Sequence, residues 1–141
     1  MKKTFISLLL MWFVWNVSAQ EAPFKCRIYN DTYQVYMQLD LYNSSIEVPN
    51  QEIYGELPGY LGAKRDTRLW LVTDAEILSE RKARIDVIND FGSEDFVAEL
   101  HYNGNGKYTF RHKGGSVWKI VVNNKYVKLP KELEFTLEGK E

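Results

Sequence analysis

Apolar and polar residues alternate along most of the chain after residue 20, and a period of two predicts half-buried strands rather than helices. In Tyr33-Gln34-Val35-Tyr36-Met37-Gln38-Leu39-Asp40-Leu41 the odd positions are apolar and the even ones mostly polar. Over 69–77 the odd positions again share one side, which points Trp70 and Val72 outward. Ala83, Ile85 and Val87 continue the pattern against Lys82, Arg84 and Asp86. Phe96, Ala98, Leu100 and Tyr102 form another face, and Leu133, Phe135 and Leu137 the last. Strands are expected near 24–29, 33–42, 45–48, 68–78, 82–90, 95–102, 108–112, 116–122, 125–129 and 133–137.

The turns between these segments fix register, because inward residues must pair with inward ones. Asn123-Asn124 reads as a two-residue turn that sets Val122 opposite Lys125, Ile120 opposite Val127 and Trp118 opposite Leu129. A loop at Gly104-Asn105-Gly106 sets Tyr102 opposite Tyr108 and Leu100 opposite Phe110. A loop at Lys113-Gly114-Gly115 sets Phe110 opposite Trp118. A loop from Gly92 to Asp95 sets Phe91 opposite Phe96 and Val87 opposite Leu100. Short connections make sequence neighbours spatial neighbours, and a long meander removes its edges by closing. The expected fold is all-β: an antiparallel up-and-down meander of roughly nine or ten short strands closed as a small barrel, with a two-sheet β-sandwich as the alternative.

One connection is long. Residues 49–67 hold Gly55, Gly59, Gly62, Pro49 and Pro58 around Ile53, Tyr54, Leu57, Tyr60 and Leu61. Such a loop either plugs a barrel end with its own side chains or serves as a lid or binding loop.

Residues 1–19 carry Lys2 and Lys3, an apolar run from Phe5 to Val17, and Val17-Ser18-Ala19, the three parts of a secretory signal. The expected product is a single domain, 20–141, in the periplasm or outside the cell. Removing the leader's two lysines from 18 Lys+Arg leaves 16 against 19 Asp+Glu. No basic excess exists to neutralise a phosphate backbone, which argues against nucleic acid. With Cys26 alone, neither an internal disulfide nor a cysteine metal cluster can form.

Little of the sequence suits catalysis. His101 faces outward and His112 inward, so they cannot share a metal. Cys26 sits on the apolar face with Phe24 and Ile28, where a thiol is inert. The hairpin pairing lines up Asp86, His101 and Thr109, but on an open sheet face with nothing to shelter a transition state. Glu52 and Glu56 are the only carboxylates with cover nearby. No catalytic residue, metal or cofactor is expected.

The interior reads as almost wholly apolar, either a filled core or a cavity for a hydrophobic ligand. The outward face is rich in aromatics, the composition of binding surfaces and of ordinary exposed strands alike. The leading expectation is a non-catalytic exported binding protein that engages another macromolecule, as an inhibitor or immunity-type partner would, through Tyr54, Leu57, Tyr60, Leu61, Trp70 and Tyr36. A small hydrophobic-ligand carrier lidded by 49–67 is the alternative, and a hydrolase using loop carboxylates the weaker one.

Overall fold

The computed structural model describes residues 22–90 and 92–138; the leader at 1–19 and the Phe91–Phe96 pairing lie outside them. Twelve strands follow in chain order: β1 (Lys25–Asn30), β2 (Val35–Asp40), β3 (Ile46–Glu47), β4 (Glu56–Leu57), β5 (Gly59–Ala63), β6 (Asp66–Ser79), β7 (Lys82–Asn89), β8 (Asp95–Gly104), β9 (Lys107–Gly115), β10 (Lys119–Val122), β11 (Lys125–Lys128) and β12 (Glu132–Leu137). Eight of them close into an antiparallel barrel in the order β1-β12-β9-β8-β7-β6-β5-β2. Without β3–β4 and β10–β11, that order is a simple meander whose last strand pairs with its first. The closure is short, Ile28 opposite Leu137 and Tyr29 opposite Thr136. Among the described residues no helix is long and apolar enough to cross a membrane.

The meander follows the alternation, and its turns show why. Asn123 and Asn124 adopt φ of 53° and 66°, as a tight hairpin turn requires, and Val122 faces Lys125 with Ile120 facing Val127. Asn105 and Gly106, at φ of 55° and 73°, bring Tyr102 opposite Tyr108 and Leu100 opposite Phe110.

Four expectations are corrected. First, 49–67 is not one loop, because Gly59–Ala63 is a barrel strand between β2 and β6. Its glycines mask the alternation, and they are there for close approach. A Cβ on Gly59 would strike the Gln38 carbonyl, and one on Gly62 would meet the Tyr36 hydroxyl at 2.5 Å. Second, β6 changes phase at an irregularity between Val72 and Asp74, so Trp70 and Val72 point inward and are buried. Ile77, expected inside, is exposed beyond it. Third, β7 and β8 pair with Val87 opposite Phe96 and Ala83 opposite Leu100. Fourth, β9 runs on through Gly114 and Gly115 and pairs with β12, Phe110 facing Leu133. At Gly115 a Cβ would lie 2.5 Å from the Asp95 carbonyl, so only glycine lets the strand finish there.

An eight-stranded barrel has room for side chains and little more. Phe96, Phe110, Phe135 and Trp118 pack ring on ring, with centroids 5.5–6.5 Å apart. Each such ring contributes roughly 1.5–3 kcal/mol by burial relative to exposure. Trp118 enters from the connection between β9 and β10 and plugs one end of the barrel. Phe24, buried beside Tyr42 and Tyr108, serves the other.

Candidate functional site

Connections in a meander lie at alternating ends. The two excursions from the barrel, the arm at 41–58 and the hairpin at 116–131, therefore leave from opposite ends. They nevertheless meet at one place.

The arm is fixed at its root by Asp40, which is almost fully buried. Its carboxylate accepts the amide hydrogens of Tyr42 at 3.2 Å and Asn43 at 3.1 Å and the hydroxyl of Ser45. Its own amide donates to the Pro58 carbonyl at 2.8 Å, so one residue ties the outgoing chain to the returning one. The Ser45 hydrogen bond, helped by the two amides and Lys25, holds this carboxyl below the usual range despite burial. From that root β3 and β4 form a two-stranded ribbon folded back along the outside of the barrel, β3 against β2 and β5, β4 against β6. Beneath it Leu71 has no exposed surface although it points away from the barrel interior. A 3-10 turn, Glu52–Tyr54, buries none of its residues. It presents Ile53 at 90% exposure and Tyr54 at 42%.

The hairpin crosses the opposite mouth and is anchored at both sides. Trp118, Ile120 and Leu129 are buried beneath it. On the far side the Val121 amide donates to Asp66 at 2.8 Å, at the start of β6, and Lys119 pairs with Glu94 at 3.0 Å. What remains outside is Tyr126, 67% exposed, with Lys125, Lys128 and Lys131.

Two hollows join these ribbons. One, about 370 Å³, lies between Pro49–Gln51 of the arm and the barrel wall at Tyr36, Lys64 and Thr67. The other, about 140 Å³, lies between the same wall and Lys119, Val121 and Tyr126 of the hairpin. Both include Asp66, Leu69 and Asp90, so they form one cleft with an arm on one bank and a hairpin on the other.

No family model, curated protein or solved structure matches the chain. The cleft is read from its own chemistry.

The charged residues on the cleft are mixed, Lys64, Arg68 and Lys119 with Asp66, Asp90 and Glu94, while Glu47, Glu52 and Glu56 of the arm line a separate hollow with Val48, Pro49 and Asn50. Residues 43–58 contain Glu47, Glu52 and Glu56 and no base, and all three are exposed. Residues 113–131 contain Lys113, Lys119, Lys125, Lys128 and Lys131 and no acid. Among the described residues, neither the three glutamates nor Lys125, Lys128 and Lys131 form an ion pair. Behind the arm, Tyr36 lies edge-on to Tyr60 at 6.2 Å, with the Arg27 guanidinium 4.2 Å from its ring centre. Burial and the nearby Tyr60 push the Tyr36 phenol up, against the pull of Arg27.

The six residues expected to bind divide clearly. Tyr54 is exposed at the arm's tip, Tyr36 lines the cleft, and Tyr60 and Leu57 are half-buried on the outer wall. Leu61 is a core residue with no exposed surface, and Trp70 is mostly turned inward against Phe96 by the β6 irregularity, with a small edge left on the cleft beside the hairpin. Sequence reasoning missed Asp66 and Lys119 and gave Tyr126 no weight beyond the other outward aromatics. The acid-free run at 113–131 is the signal that could have drawn attention to that bank.

The catalytic candidates come apart. Asp86 faces Val97 and binds Arg84, while His101 faces Lys82 and Thr109 and contacts Glu99 at 3.4 Å. The Asp86–His101–Thr109 row therefore does not exist. His112 holds the Ser116 carbonyl at 2.7 Å beside Phe96. Burial pushes the Cys26 thiol up to about 11, against the pull of a hydrogen bond with Tyr108. Glu52 and Glu56 stand in solvent, without the cover that glycosidase carboxylates need.

Proposed function

We propose that this chain is an exported, non-catalytic binding protein that engages a protein partner through the cleft between the arm and the hairpin. The observation that carries the reading is Ile53, almost fully exposed at the tip of a ribbon that lies along the outside of the barrel. An isolated apolar residue on a surface is ordinary, but here Tyr54 stands beside it and Tyr126 on the far bank. Aromatic anchors held on pre-ordered backbone are the usual centres of binding energy, because little freedom is lost on docking.

The test is capture from the exported fraction with wild-type chain and with the Ile53→Asp, Tyr54→Ala double variant. Hot-spot truncation costs ~2 kcal/mol or more, so the variant should lose the partner that wild type retains while melting at the same temperature. Equal capture of the same protein by both forms would sink the reading. An interior packed with Phe96, Phe110, Phe135 and Trp118 gives the hydrophobic-ligand reading no comparable support.

A further inference from the structure

Strand β11 has one open edge. It pairs only with β10, as the second strand of a two-stranded sheet. The Leu129 amide donates to the Trp118 carbonyl at 2.9 Å, which makes Trp118 and Leu129 a hydrogen-bonded pair. Pairs of that kind alternate along an antiparallel ladder, so Ile120–Val127 and Val122–Lys125 are the next two. Tyr126 and Lys128 therefore direct their N–H and C=O groups away from β10. The other edge of the ribbon agrees, since the Val121 amide, opposite Tyr126, turns outward to Asp66. Among the described residues the outward groups of Tyr126 and Lys128 meet no hydrogen-bond partner, and both residues are exposed.

We infer that an extended acidic segment of the protein partner adds to this edge as a third strand. Such a strand deepens the binding function proposed above, on which it rests, by naming how the partner is held.

Main-chain groups supply the attraction and side chains the choice of partner. Lys125 and Lys128 form no ion pair among the described residues, and 113–131 holds no acid. Lysines on an edge keep like edges apart, because a second β11 laid against this one would set lysine beside lysine. An acidic strand meets no such barrier. Side chains alternate between the two faces of the ribbon, so Tyr126 and Lys128 share one face and Lys125 and Val127 the other. Lys119, opposite Lys128, is already paired with Glu94 at 3.0 Å. Read along β11, the neighbours offered are basic, aromatic, apolar and basic. The fitting core is Glu-Val-Val-Glu, which reads the same in either strand direction. Trp118, Ile120 and Leu129, buried under the ribbon, hold the edge in place before the partner arrives, so little freedom is lost on docking.

The probe is the acetylated, amidated peptide Thr-Glu-Val-Val-Glu-Thr, titrated into the wild-type chain and followed by amide shifts and hydrogen exchange. The Tyr126 and Lys128 amides should shift and slow, while those of Lys125 and Val127, already bonded to β10, should change little. N-methylating the core residues should abolish binding, since each lost main-chain hydrogen bond weakens it by ~2–10-fold. Replacing Glu by Lys in the peptide should abolish binding too, and raising salt from ~0.01 M to ~1 M should weaken it. Lys125→Glu with Lys128→Glu should reverse the preference between the two peptides. Lys128→Pro removes an outward N–H and leaves the β10 ladder intact, so it should bind the peptide more weakly at an unchanged melting temperature.

Tyr126 and Lys128 amides that stay unchanged overturn the inference, and so does an N-methylated peptide that binds as well as its parent. A partner retained alike by wild type and both edge variants, yet lost with Ile53, overturns it while keeping the binding function. Peptide binding at the edge with no partner retained by wild type sinks the cleft reading and keeps the edge as the docking site.

Discussion

The Asp66 carboxylate accepts the Val121 amide at 2.8 Å, joining the first residue of β6 to the middle of a hairpin 55 positions later. Its other oxygen takes the Arg68 amide at 3.1 Å, and little of the side chain reaches solvent. This bond spans the barrel mouth, because β6 lies across the barrel from β9 and β12, where the hairpin is rooted. It holds the hairpin side of the cleft in place.

Asp66→Ala should therefore loosen the hairpin more than the barrel. A hydrogen bond to a charged group is worth roughly 1.5–3 kcal/mol, and that range is the expected loss in urea denaturation. The Val121 amide should exchange faster by a similar factor, with amides of β7 and β8 little changed. Unaltered protection at Val121 would show that the hairpin is held by its other anchors, the Lys119–Glu94 pair and buried Trp118, Ile120 and Leu129.

Asp40 makes the arm sensitive to acid. Its carboxyl is depressed in the folded state by the Ser45 hydroxyl first, then the amides of Asn43 and Tyr42 and the charge of Lys25. A depressed carboxyl adds stability that is present above the unfolded value, about 4, and is lost as pH falls through the folded one. The wild-type chain should lose stability across that acid window. Asp40→Asn should be weaker at neutral pH and show a flatter acid limb. Parallel acid limbs for the two proteins would remove Asp40 from this role.

Trp70 and Tyr126 should respond in opposite ways to truncation. Trp70→Ala empties a core site against Phe96 and should cost ~3–5 kcal/mol. Tyr126→Ala removes a surface ring and should stay within ~0.5 kcal/mol, so any loss of association belongs to the interface. Chemical denaturation of both variants decides it; a mild Trp70→Ala would contradict the inward phase of β6 at that residue.

Cys26 should be slow to alkylate. A thiol pushed up to about 11 is almost wholly protonated near pH 8, and the thiolate is the reactive form. A thiol reagent should modify it far more slowly in the native chain than in denaturant. Equal rates would mean that the start of β1 opens freely.

The cleft was half legible in advance. Tyr54 could be nominated because aromatics in a long connection need an explanation, and Tyr36 because alternation puts it on the outward face of its strand. Tyr126 was seen only as one of several outward aromatics, and Asp66 had no signature, since its partner is a backbone amide brought near by the hairpin crossing the mouth. Trp70 was misplaced for a definite reason: alternation is counted from a starting point, and one irregularity between Val72 and Asp74 reverses every face before it.

The sequence by itself determined the local matters: which stretches extend, which residues share a face, and the hairpin turns at Asn105 and Asn123-Asn124, because alternation and positive-φ residues act over a few positions. Tertiary structure alone decided the pairing of β2 with β5, of β9 with β12 and of β12 with β1, and the return of arm and hairpin to one cleft. Alternation says which side of a strand is apolar but not which strand lies next to it. That choice follows from closing the barrel around Trp118 and Phe24, which needs the whole chain at once.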